Sequence, residues 1–337
     1  MRAVRFHEVG RPLGTEDVEA PRPGPWDVLI DVAAAGVCGT ELHFVDGLLT
    51  PGRRPITLGH EVAGVVAEVG EAVEHVQPGD RVAVHYLHAC GRCRWCRVGD
   101  DHLCDAPLGF LAFGTDGGFA EQIVVPASAT VPIPEGLDLA EAAALCCSGT
   151  TALHAVDVAG ITAGATAVVY GTGGVGLALV QVLREAGARP IAVARNPERL
   201  ALARELGAET TVNAAREGVV AAIRAATAGA GADVVFELVG TRATGAAALA
   251  SLAKRGTLVY VGYSFDRVEF DPLSLVVPEQ RIVTSVGNRR SELVEALDLA
   301  ARGRLVTRVT RHPLADAAQV LDDLRAGRVL GRAVLIP

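Results

Sequence analysis

The longest stretch without a charged side chain covers residues 158–183, and its text limits what the chain can become. It has the length of a membrane span, yet six glycines punctuate it. It reads instead as an apolar strand over 167–170, the turn Gly171-Thr172-Gly173-Gly174-Val175-Gly176, and a helix over 175–186. A G-x-G-x-x-G turn between strand and helix is a phosphate cradle. It needs a tight turn, a backbone that can approach pyrophosphate, and amide N–H groups at a helix N-terminus. Gly171, Gly173, Gly174, Val175 and Gly176 are therefore candidate cofactor-binding residues.

The text around this turn has a rhythm. Strand-like runs at 167–170, 190–194, 233–238, 257–262 and 281–286 alternate with helix-periodic stretches at 197–206, 219–227 and 244–252. Pro197 follows Asn196, a good N-cap, as a first-turn proline should. Such alternation predicts right-handed crossovers and a doubly wound parallel sheet over about 151–287. Residues 1–150 read differently. Short strands at 28–33, 64–69 and 81–84, the last entered through Pro78-Gly79-Asp80, point to a small β-rich, barrel-like fold. The tail adds a helix at 291–302 and a final strand at 328–336.

The end of the second strand bears on the nucleotide. An acid there accepts from a ribose 2′-hydroxyl, whereas a cation suits a 2′-phosphate. The chain has Ala194-Arg195-Asn196 there, with Arg199 one helical turn on. With no acid present, Arg195 and Arg199 favour NADP over NAD.

Composition removes several alternatives. The 31 basic and 39 acidic residues leave a net charge of −8 with no basic block, which excludes nucleic acid or an anionic membrane as the main partner. Half the residues are apolar, so the chain is globular. Only one residue is a lysine, Lys254. No Gly-Lys-Ser/Thr phosphate loop exists, and a Tyr-x-x-x-Lys pair is impossible because residue 250 is Ala. The opening residues contain no apolar leader segment, so the expected location is the cytoplasm. In that reducing compartment, seven cysteines point to metal or catalysis rather than disulfides.

Four of them stand as Cys90-x2-Cys93-x2-Cys96-x7-Cys104. Thiolates at this spacing can wrap one tetrahedral ion in a closed structural site. The others are Cys38, in Gly-Val-Cys38-Gly-Thr40-Glu41-Leu-His43, and the adjacent pair Cys146-Cys147. With Gly59-His60-Glu61 they contain the parts of a catalytic zinc site, two thiolates and an imidazole with the fourth position open. Spacing alone does not bring them together.

Taken together, these motifs resemble the zinc-dependent medium-chain alcohol dehydrogenase family, in family order and over nearly the whole chain. The resemblance implies a GroES-like catalytic domain formed by residues 1–150 and 288–337, carrying a structural zinc loop at 90–104, and an inserted Rossmann domain at 151–287. It makes Cys38, His60 and Cys147 the catalytic zinc ligands, with Cys147 preferred to Cys146 because it stands four residues before Thr151. Glu61 becomes a close acidic neighbour of the metal, and Glu41 the carboxylate that orients His60. Thr40 takes the hydroxyl that bonds the substrate oxygen, and His43 the group that passes its proton on. Thr151 and Val175 are implied to pack on the nicotinamide, Arg332 to reach pyrophosphate, and Tyr86 to line the substrate pocket. Gly39 departs from family members that carry Arg beside the first ligand.

The expected activity is hydride transfer between an alcohol carbon and NAD(P), on a small alcohol or carbonyl substrate, with two zinc ions per chain. The expected assembly is a homodimer or homotetramer paired through the strand at 281–286. Two alternatives compete: a C=C reductase of the same superfamily, in which Arg289-Arg290 could greet a phosphate-bearing substrate, and a non-catalytic zinc and nucleotide-binding protein.

Overall fold

The computed structural model describes residues 1–337, which divide into two compact units. One comprises Met1–Thr150, Asn288–Gly303 and Thr307–Pro337, and the other Thr151–Gly287 with Arg304–Val306.

The first unit is built on a seven-stranded sheet. Its main path runs Thr130–Pro132, Arg81–Val84, Glu61–Val69, Asp27–Val37, Arg332–Ile336 and Val309–Pro313, and Gln122–Pro126 also pairs with Asp27–Val37. Asp27–Val37 is the organising strand: it pairs antiparallel with Glu61–Val69, Gln122–Pro126 and Arg332–Ile336. Alternate residues Val28, Ile30 and Val32 enter a core with Phe6, Phe44, Ile56 and Val62. The helix Leu139–Leu145, capped by the Asp138 carboxylate on the Ala140 amide at 2.9 Å, is nearly all buried alanine and leucine.

The second unit is a six-stranded, wholly parallel sheet. Its order is Thr210–Asn213, Arg189–Ala194, Thr166–Tyr170, Ala232–Glu237, Leu252–Tyr260 and Arg281–Thr284. In chain order this is 3-2-1-4-5-6, the doubly wound arrangement with its switch point beside the first strand. Asn196 caps the helix Pro197–Glu205 by accepting from the Glu198 amide at 2.7 Å.

The sequence reading overlooked Thr210–Asn213, whose polar text suits a short edge strand and shows no apolar run. It also started the fifth strand late. Leu252–Tyr260 begins with a register shift opposite Ala232/Val234 that contains Arg255 at φ 60°, and it leaves Lys254 exposed. The run Leu139–Ala159 is apolar enough to cross a membrane by length and composition, but 83% of its most apolar window is buried in the protein.

Candidate metal centre and nucleotide site

Cys38 follows the strand Asp27–Val37 and, in extended conformation, caps the helix Gly39–Val45. Glu41, in the first turn, folds back so that one oxygen accepts from the Cys38 amide at 2.9 Å. Its other oxygen lies 2.7 Å from His60 Nδ1. A helix-capping contact thus also ties Cys38 to His60 and turns Nε2 outward. Cys147 sits between the helices Leu139–Leu145 and Ser148–Ala159. Cys38, His60, Glu61 and Cys147 each offer a ligand atom, and these atoms all lie within 4.8 Å of one another. Cys146 turns away: its thiol contacts the carbonyls of Val62 and Ala142, and burial pushes it up to about 12.

A hydrogen bond from Cys147 holds the Cys38 thiol well below its ordinary value despite burial, and the same contact raises Cys147. Burial alone would depress His60, but the charge of Glu41 and the hydrogen bonds His60 donates to Cys38 and Glu41 carry it well above the usual imidazole value. A thiolate, a second thiol and a carboxylate-oriented imidazole form a donor set that fits zinc.

Glu61 stands behind this set. Burial pushes its carboxyl up to about 7 against the opposing charge of Arg332. The Arg332 guanidinium pairs with Glu61 Oε2, while Glu61 Oε1 has no hydrogen-bond partner and lies 4.0 Å from His60 Nε2. Gly36 faces Glu61 across the strand pair, and a Cβ there would overlap the carboxylate. Arg332, assigned from the sequence to a pyrophosphate, is buried against Glu61 in this structure. Thr40 Oγ1 lies 3.7 Å from Cys38 Sγ. His43 is one helical turn further on, held below the usual imidazole value by burial.

Cys90, Cys93, Cys96 and Cys104 form the second cluster. Three of their sulfur–sulfur distances are 4.0, 3.5 and 4.0 Å. Four sulfurs placed tetrahedrally about 2.3 Å from one zinc would stand about 3.8 Å apart, so this set fits a closed site. Two acids in the loop hold the start of the helix Arg290–Ala301: Asp100 accepts from Arg289 Nε at 2.7 Å, and Asp101 from the Arg290 amide at 3.2 Å. Arg289, considered above for a phosphate-bearing substrate, is instead paired with Asp100 and Glu292.

In the parallel unit, Gly171 takes φ +111°, and a Cβ on Gly176 would overlap the Gly171 carbonyl. Gly173 caps the helix Gly174–Glu185 with open space around it, and the nearby Thr172 hydroxyl is buried without a partner. An open helix N-terminus beside an orphaned hydroxyl fits a pyrophosphate. Val175 lies in the first turn of that helix, and Thr151 is buried in Ser148–Ala159. Arg195 is exposed just past its strand. Arg199, one helical turn on, is depressed by burial and by the positive charge of Arg195.

Sequence reasoning missed Asn288, which carries no motif. It also passed over the capping role of Glu41, although Cys38-x-x-Glu41 has capping-box spacing.

A GroES-like sheet carrying two zinc-type donor sets, together with a doubly wound nucleotide unit, defines the class of metal-dependent dehydrogenases. Residues 24–135 match the alcohol dehydrogenase GroES-like domain, and residues 174–302 match the zinc-binding dehydrogenase domain. An NAD-dependent alcohol dehydrogenase of Sulfurisphaera tokodaii is 35% identical over 348 residues, covering 100% of both chains. The solved alcohol dehydrogenase of Aeropyrum pernix is 37% identical with a TM-score of 0.95, again over 100% of both chains. A zinc-binding dehydrogenase from Sinorhizobium meliloti, solved with NADP, is 35% identical with a TM-score of 0.91, over 100% of this chain and 99% of that one. The chain belongs to the zinc-dependent medium-chain alcohol dehydrogenase family.

Proposed function

We propose that this protein is a zinc-dependent alcohol dehydrogenase that moves a hydride between an alcohol carbon and a nicotinamide cofactor, with NADP preferred. The observation that carries the reading is the donor set of Cys38, His60 and Cys147, oriented by Glu41 and backed by Glu61. When bound there, zinc supplies Lewis acidity toward the substrate oxygen. Cys90, Cys93, Cys96 and Cys104 hold a second, structural ion. Thr40 and His43 share one helix at i,i+3, which suits a relay for the substrate's proton: the Thr40 hydroxyl would accept it while releasing its own, and His43 would receive the released proton and pass it outward. Burial keeps His43 neutral near pH 7 and so able to accept it. Gly171–Gly176 hold the pyrophosphate, with Thr151 and Val175 against the nicotinamide. Arg195 and Arg199, two cations that repel each other, favour a 2′-phosphate.

The edge strand Arg281–Thr284 is half exposed, and Leu273, Val276, Val277 and Val286 near it present apolar side chains to solvent. An unpaired edge with an apolar margin supports pairing with a second copy, in a dimer or tetramer. Seven cysteines, none of them in a disulfide, suit the cytoplasm.

The decisive experiment follows cofactor reduction over a panel of primary, secondary, aromatic and polyol alcohols, with NADP⁺ and NAD⁺ in parallel. Turnover is expected with the wild type and higher with NADP⁺. Cys38→Ser is expected to abolish it while cofactor binding persists. Turnover retained in that variant, or no turnover of any alcohol by the wild type, overturns the reading.

A further inference from the structure

Aromatic residues make up only 4% of the chain, yet several converge on His60. The Tyr86 ring meets His60 edge-on at 5.5 Å, and Phe113 meets it at 6.2 Å. Tyr86 itself stacks with His85, at 5.4 Å, and with Phe110, at 5.3 Å. Stacking of this kind resists displacement normal to the ring but tolerates sliding and rotation within its plane. Something else must fix Tyr86 in that plane.

That contact comes from Asn288, 202 residues away in sequence, whose Nδ2 donates to the Tyr86 hydroxyl at 2.9 Å. The other end of the carboxamide meets His85 Nε2 at 3.0 Å, and His85 Nδ1 is held by the Leu87 carbonyl at 2.9 Å. Whichever way the amide is turned, one end bonds His85 and the other Tyr86. Asn288 is fully buried, and the residues after it are anchored by Asp100 and Asp101 of the four-cysteine loop. It bonds none of the four side chains of the catalytic donor set.

We propose that Asn288 is a specificity-positioning residue. It clamps the Tyr86 hydroxyl, fixes the ring that packs edge-on against His60, and so limits the bulk of any group bound at the metal. The substrate meaning of this limit rests on the dehydrogenase reading above; the clamp does not.

The test uses protein loaded with Co(II), whose visible spectrum changes when a nitrogen ligand takes the open position. Imidazole and 4-phenylimidazole are titrated into wild type, N288A, Y86F and the double variant. The affinity for 4-phenylimidazole relative to imidazole is expected to rise roughly three- to tenfold in each single variant, the scale of one hydrogen bond. The double variant should go no further than Y86F. If Asn288 were merely structural, N288A would weaken both ligands alike and leave the ratio unmoved. That result, or additive effects in the double variant, overturns the proposal. Should N288A fail to fold, the ratio in Y86F decides. Because no turnover is needed, a shifted ratio in a protein that oxidises no alcohol would support the clamp while refuting the dehydrogenase reading.

Discussion

Glu61 is a carboxylate enclosed on every side: Arg332 on one oxygen, His60 beyond the other, and the bare backbone of Gly36 across the strand pair. A buried ion pair is tolerated only while its geometry holds, because each charge depends on the other for what water would have supplied. Gly36 therefore matters less for its own conformation than for the room it leaves. Adding a methyl group in Gly36→Ala forces the carboxylate aside, and we expect a loss of about 1–3 kcal/mol of stability. Metal content at the nearby donor set should fall with it. Denaturant unfolding and metal analysis check this; a variant with wild-type stability and full metal content would refute it.

At the scale of elements, the strand–turn–helix at Thr166–Tyr170 and Gly174–Glu185 shows what a sequence can disclose. An apolar run, glycines at fixed offsets and an apolar continuation of helical length are all local signals, so the elements and their order were legible. The four-cysteine loop was legible for the same reason, since its donors lie within fifteen residues of one another. The group of Cys38, His60 and Cys147 is different. Its members lie on three separate segments, and only the pairing of Asp27–Val37 with Glu61–Val69 and the packing of Leu139–Leu145 on those strands bring them together. Resemblance named them where spacing could not. Asn288 was illegible altogether, because its partners at 85 and 86 are joined to it by folding alone. The glycine turn offers its own test. Gly176→Ala places a methyl group against the Gly171 carbonyl, so the turn must open. NADPH affinity should fall at least tenfold, a loss of about 1.4 kcal/mol in binding, while metal content stays unchanged. Fluorescence titration would show it.

At the scale of the whole molecule, the four-cysteine loop does more than close on itself. Through Asp100 and Asp101 it holds the start of Arg290–Ala301, the helix with which the chain re-enters the first unit. On the two-zinc reading proposed above, losing the loop's ion should loosen a tertiary contact as well as a loop. Cys104→Ser is expected to reduce zinc from two ions per chain to one and to lower the melting temperature, with Cys38, His60 and Cys147 still binding theirs. Two ions retained in that variant would show that the cluster is not a zinc site.

Lys254, the one side-chain amine in 337 residues, lies exposed near the start of Leu252–Tyr260. The nucleotide loop follows the far end of Thr166–Tyr170, and both strands belong to the same parallel sheet. The amine and the loop therefore lie at opposite rims of that sheet. An amine-reactive label would mark the protein's side chains at a single point, on the rim away from the nucleotide loop.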